Sequence, residues 1–96
     1  MITHLVFFKF KPETTAAESQ QLADGLGGLP QKIEEIREFR FGPDMIRSER
    51  SYDFGLVSSF DDLDALQRYH VHPDHQKFVA HYKAISSRVV AGDFAA

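Results

Sequence analysis

Residues 3–10 carry apolar side chains on both sides of a single strand, and no other stretch constrains the fold as much. By the two-residue period of a strand, Ile2, His4, Val6, Phe8 and Phe10 share one face, while Leu5 and Phe7 share the other. A half-buried antiparallel strand normally keeps one face wet. A strand with no wet face needs a layer over each side. The pattern therefore predicts helices on one face of a sheet and some other cover on the second.

The rest of the chain supplies the other elements of such a sheet. Lys11-Pro12-Glu13 ends the first strand, and Thr15 with Glu18 has the spacing of a capping box. Ser19, Leu22, Ala23 and Leu26 follow at helical spacing, and Gly27-Gly28 is read as the helix stop. Leu29-Pro30 then opens a connection containing Ile33. A second strand is expected over 36–41, where Phe39 and Phe41 flank charged Arg40. Gly42-Pro43-Asp44 signals a turn, and 47–51 reads as an exposed loop.

A third strand is expected over 52–60, with Phe54, Leu56 and Phe60 on one face. Asp61 or Asp62 can cap a helix carrying Leu63, Leu66 and either Tyr69 or His70. Pro73 breaks that helix and suits the first turn of a new one, where its missing N–H costs nothing. The new helix carries His75, Phe78, Val79, Tyr82 and Ile85 on one stripe. A last strand is expected over 88–94.

This order predicts an α+β fold of ferredoxin-like βαββαβ type, a four-stranded antiparallel sheet with helices on one face. Ninety-six residues are expected to make one domain spanning 1–96. The helices cover one sheet face only, which leaves the Leu5 and Phe7 side as an apolar patch too large to stand in water. Pairing two such faces gives an isologous homodimer.

Composition removes several function classes. Eleven basic and fourteen acidic residues give a net charge of -3, the wrong balance for a general nucleic-acid binder. With no cysteine there is no disulfide, thiol nucleophile or thiolate metal site. No apolar run approaches the roughly 20 residues of a membrane span, and the first residues lack the pattern of a signal peptide. A cytoplasmic location is the default expectation.

Candidate chemistry gathers in Tyr69-His70-Val71-His72-Pro73-Asp74-His75, which holds three of the five histidines. Histidine titrates near physiological pH and serves as acid, base or metal ligand. The spacing of His70, His72 and His75 does not give the i, i+4 pair of a two-histidine helical metal site, so no metal is expected. His75 lies on the inward stripe close to a helix N-terminus, which disfavours its charged form. It is either a base facing a cavity or a buried histidine that caps backbone groups at the break. Tyr69 can bring its hydroxyl to the same place, or simply pack. His4 shares a face with Val6 and Phe8 and is either a ligand contact, a partner of His75 or a satisfied core residue. His72 is expected to serve the turn, and His81 to face solvent.

Taken together, the N-terminal run His4-Leu5-Val6-Phe7-Phe8-Lys9-Phe10-Lys11, Tyr52-Asp53, Phe60, Tyr69 with His72-Pro73-x-His75, and Asp93 resemble the stress-responsive A/B-barrel (Dabb) family. The resemblance implies a homodimer in which two ferredoxin-like sheets form an α+β barrel. It also implies a small apolar or aromatic ligand in a pocket between sheet and helices, with His4, Val6, Phe8, His70 and Phe78 as ligand contacts. A plant branch of the family consists of polyketide cyclases that need no metal or organic cofactor and use a tyrosine and a histidine from the helical segment. By motif these are Tyr69 and His75. The alternative implied is therefore a cofactor-independent cyclase or isomerase acting next to a carbonyl, with His75 as base and Tyr69 as acid or orienter. Two positions depart from that branch: Phe54 stands where it has a histidine, and His70 stands where an apolar residue is expected.

Overall fold

A computed structural model describes residues 1–96. The order is β1 (Ile2–Phe10), α1 (Ala16–Lys32), β2 (Glu38–Pro43), β3 (Phe54–Phe60), α2 (Leu63–Val71), α3 (Pro73–Ile85) and β4 (Ser86–Ala95). The four strands form one antiparallel sheet in the order β2-β3-β1-β4, as the βαββαβ pattern requires.

The register sorts the side chains by face. His4, Val6 and Phe8 stand opposite Ser58, Leu56 and Phe54 on one side and Asp93, Ala91 and Val89 on the other. This front face meets the helices. Phe8, Phe60, Leu22, Leu26 and Ile33 are fully buried there and Tyr69 nearly so, in one core that also holds Phe54, Leu56 and Phe78. Each such side chain contributes about 1.5–3 kcal/mol by leaving water.

The rear face is bare. Phe7, Val90 and Phe94 are 44, 37 and 50 % exposed. Phe7 lies over Gly55, its pairing partner on β3, where a Cβ would sit 3.3 Å from the ring. Glycine there lets the aromatic ring lie close to the strand. Two shallow hollows of about 510 and 430 Å³ flank Phe7 on this side.

Several boundaries differ from the sequence reading. Helix α1 does not stop at Gly27-Gly28 but runs through both glycines and Pro30 to Lys32. Each glycine costs about 1 kcal/mol in a helix interior and proline about 3. Continuing the helix buries Leu29 and Ile33 beneath Leu22 and Leu26, which offsets much of that cost. The capping box at Thr15 and Glu18 forms as expected, with Glu18 N–H donating to Thr15 Oγ1 at 3.1 Å and Thr15 N–H to Glu18 Oε1 at 2.9 Å.

Strand β2 lies two residues later than expected and includes Gly42 and Pro43, which pair with Gly55 and Phe54. Proline is tolerated because β2 is a sheet edge. Tyr52 and Asp53 precede β3 rather than opening it, and the Asp53 carboxylate accepts from Phe10 N–H at 2.7 Å. Leu63, placed on the inward stripe of α2, is 66 % exposed, while Ala65, Leu66 and Tyr69 turn inward. His81 is half-buried rather than solvent-facing.

Candidate functional site

The break between α2 and α3 builds the site. Pro73 has no N–H to continue the helical ladder, so His72 closes α2 and opens α3. Its N–H donates to the Tyr69 carbonyl at 3.2 Å, and its Nδ1 accepts from Asp74 N–H at 3.1 Å. Asp74 N–H would serve the His70 carbonyl in an unbroken helix. Turned to His72 instead, it leaves that carbonyl to side chains. His75 Nδ1 donates to it at 3.0 Å and Gln76 Nε2 at 2.6 Å.

That contact fixes the tautomer of His75. A carbonyl can only accept, so Nδ1 carries the hydrogen and Nε2 of the neutral ring keeps its lone pair. Burial lowers the His75 pKa, partly countered by the His70 carbonyl, and the other imidazoles lower it further. His75 thus caps the break, and its other ring nitrogen makes no hydrogen bond within the chain.

His75, Tyr69, His4, His70, Val6, Phe8 and Phe78 all line one cavity of about 250 Å³ between the sheet and α2–α3. Leu56, Tyr82, Val89, Ala91 and Asp93 complete its walls. The polar groups gather at one end. The Tyr69 ring centroid lies 4.3 Å from that of His75 and 6.5 Å from that of His4. His70 stands between the other two imidazoles, 5.2 Å from His4 and 5.5 Å from His75 by ring centroid. Burial lowers the His70 pKa and pushes the Tyr69 phenol well above its usual range, where it keeps its proton. The opposite end is aromatic: Phe8, Phe78 and Tyr82 meet edge to face at 5.0–6.2 Å.

His4 takes neither His75 nor the backbone as its partner. Its Nδ1 lies 2.5 Å from Asp93 Oδ1, across the β1–β4 pair in which the two residues are opposed. His4 is buried and the Asp93 side chain is 42 % exposed, so the carboxylate stands at the rim. Sequence reasoning named Asp93 only through a family likeness and left Leu56, Tyr82, Val89 and Ala91 out of the site. Tyr82 was detectable, since it shares the helical stripe of His75 and Phe78. Val89, Ala91 and Asp93 share one face by the strand period, but their pairing with Phe8, Val6 and His4 depends on a register the sequence does not encode locally.

No cluster of three or more acidic or histidine side chains converges as a metal site would require. No helix is long and apolar enough to cross a membrane. The larger hollow on the rear face is walled by Phe7, Val90 and Met45 with Arg50 at its edge, and holds no paired acid and base.

Known proteins are similar to this chain in sequence and in fold. An uncharacterized protein of Streptomyces coelicolor is 36% identical over 93 residues, covering 95% of this chain and 96% of its own length. A stress-response A/B barrel domain-containing protein of Arabidopsis thaliana is 30% identical over 96 residues, with 95% and 82% covered. Olivetolic acid cyclase of Cannabis sativa is 24% identical over 95 residues, with 97% and 94% covered. Among solved structures, a dimeric ferredoxin-like protein of unknown function from Thermobifida fusca superposes with a TM-score of 0.91 at 30% identity, covering 99% of this chain and 90% of that one. A second dimeric ferredoxin-like protein, from Bacteroides fragilis, gives 0.86 at 25% identity, with 99% and 95% covered. The family model for the stress responsive A/B barrel domain matches residues 2–96, and the chain belongs to that family.

Proposed function

We propose that this protein is a homodimer that holds a small apolar or aromatic ligand in the cavity between its sheet and α2–α3. One observation carries the reading: a concave site of about 250 Å³ with imidazole and phenol groups at one end and aromatic side chains at the other. Ligand pockets combine an apolar lining with a few placed polar groups in this way. The dimer is supported by the bare apolar rear face and by the dimeric state of the Thermobifida and Bacteroides proteins. Rear-to-rear packing buries Phe7, Val90 and Phe94 and leaves the ligand cavity of each subunit on the outside.

Two measurements test this. Sedimentation equilibrium at micromolar concentration should return twice the 10.9 kDa chain mass; a species at the chain mass alone defeats the dimer. Ala91 lines the cavity from an exposed position on an edge strand, so Ala91→Phe fills the space without touching the core. It should abolish binding of monocyclic aromatics found in a ligand-observed NMR screen, and unchanged binding would place the ligand elsewhere.

A second reading is favoured by the His75 tautomer. A lone pair held ready beside a protonated phenol is what enolisation next to a carbonyl needs: His75 Nε2 removes the α-hydrogen as a proton, and Tyr69 donates a hydrogen bond to the enolate oxygen as charge develops there. One relative is named a cyclase. Deuterium exchange at the α-carbon of small aryl ketones should be accelerated by the protein and lost in His75→Ala. A variant that exchanges as fast as the parent would remove His75 from the role of base.

A further inference from the structure

The hydrogen-bonding polarity of the cavity specifies more than an apolar ligand. We propose that it selects a neutral, single-ring compound bearing a hydroxyl hydrogen, a phenol or an enol, and discriminates against the carboxylate of the same shape. The inference rests on the reading of this cavity as a ligand site and names the chemistry that site accepts.

Three observations lead there. With Nδ1 of His75 committed to the His70 carbonyl at 3.0 Å, the nitrogen left for the cavity is an acceptor, and it needs a donor. Tyr69, whose hydroxyl keeps its hydrogen, supplies a donor from the same wall. A hydroxyl group satisfies both at once, giving its hydrogen to His75 and accepting one from Tyr69. A carboxylate only accepts: it can take the Tyr69 hydrogen but has none to give His75, whose lone pair it faces unpaired.

Charge points the same way. The walls contain no lysine or arginine. The His4 imidazole is paired with the Asp93 carboxylate and offers no unpartnered cation. His70 and His75 are both held toward their neutral forms by burial. An anion entering this space gives up its hydration without a fixed cation to receive it.

Size sets the remaining limit. An apolar cavity of about 150 Å³ binds benzene, so the 250 Å³ here takes one ring with a short substituent. The Phe8, Phe78 and Tyr82 cluster receives the ring.

The test is a matched series on the ¹⁵N-labelled full chain at pH 7.5: p-cresol, 4-methylanisole and 4-methylbenzoate. p-Cresol should bind at least tenfold more tightly than either of the others, by amide shifts of cavity residues. The imidazole ¹⁵N resonance of His75 Nε2 should move on adding p-cresol and stay in place on adding 4-methylanisole. Equal affinity for 4-methylanisole overturns the need for a hydroxyl hydrogen, and equal affinity for 4-methylbenzoate overturns discrimination against the anion. Either result leaves the cavity as a ligand site. Absence of cavity shifts with all three compounds overturns the ligand-site reading itself, and this inference with it.

Discussion

The two faces of the sheet are made by the same strands, one residue out of step, and they are used differently. Phe8 on the front is 0 % exposed and packs against Phe54, Phe78 and Tyr82; Phe7 on the rear is 44 % exposed and lies over Gly55. The front carries the polar groups of the cavity: His4 with Asp93, and the imidazoles and phenol that α2 and α3 bring down onto it. The centre of the rear carries Leu5, Phe7, Val57 and Val90 with Gly55 and Gly92, and polar residues such as Glu38, Arg40 and Ser59 lie toward its β2 side. A two-residue alternation thus separates the cavity proposed to take a small molecule from the face proposed to pack against a second copy. Register alone keeps the two apart, since a slip of one residue would exchange them.

The two faces differ most at the neighbouring phenylalanines Phe7 and Phe8. Phe8→Ala should destabilise the subunit by about 3–5 kcal/mol, read from urea denaturation, because it empties a fully buried site. Phe7→Asp should leave the subunit folded by circular dichroism and halve the sedimenting mass. If Phe7→Asp unfolds the chain, or stays dimeric, the rear face is not the surface of association. A smaller effect sharpens the front. Asp93→Asn removes the carboxylate facing His4 at the rim, and a loss of about 1 kcal/mol is expected for a partly exposed bond of this kind. Pairing it with His4→Phe in a double-mutant cycle isolates the contact, and additive losses would show that it adds nothing to stability.

The smallest effect is a pH dependence. His70 and His75 have folded-state pKa values lowered from 6.5, chiefly by burial. Above about 6.5 both states hold these rings neutral, and the rings add no pH dependence there. As pH falls below 6.5 the unfolded chain takes up protons first, so stability should decline from pH 7 toward pH 5. His70→Phe should flatten that decline, measured as the shift of the urea midpoint between the two pH values. An unchanged slope would mean that His70 is not held neutral by its surroundings.

Much of the front face was legible from sequence because its signals are short-range. The two-residue period of residues 2–10, the Thr15–Glu18 box and the proline two residues before His75 each act within one element. With the family resemblance they named seven side chains that the fold brings around one cavity. What escaped depends on contacts between distant segments. The partner of His4 is 89 residues away, and only the register of β4 against β1 sets them opposite each other. The length of α1 was misjudged for the same reason. Glycine and proline are strong local stop signals, yet burial of Leu29 and Ile33 in the core offsets much of what the helix loses at the breakers. The bareness of the rear face was foreseen from β1, whereas the Gly55 seat beneath Phe7 was not.

The acceptor that sets the His75 tautomer belongs to the main chain of residue 70, and the side chain of residue 70 has no part in it. Evolution is thereby given a free variable. Substitution at this position can reshape the cavity lining between His4 and His75 while the His75 ring stays where it is. Residue 70 therefore has its two roles divided, the main chain holding His75 and the side chain lining the cavity.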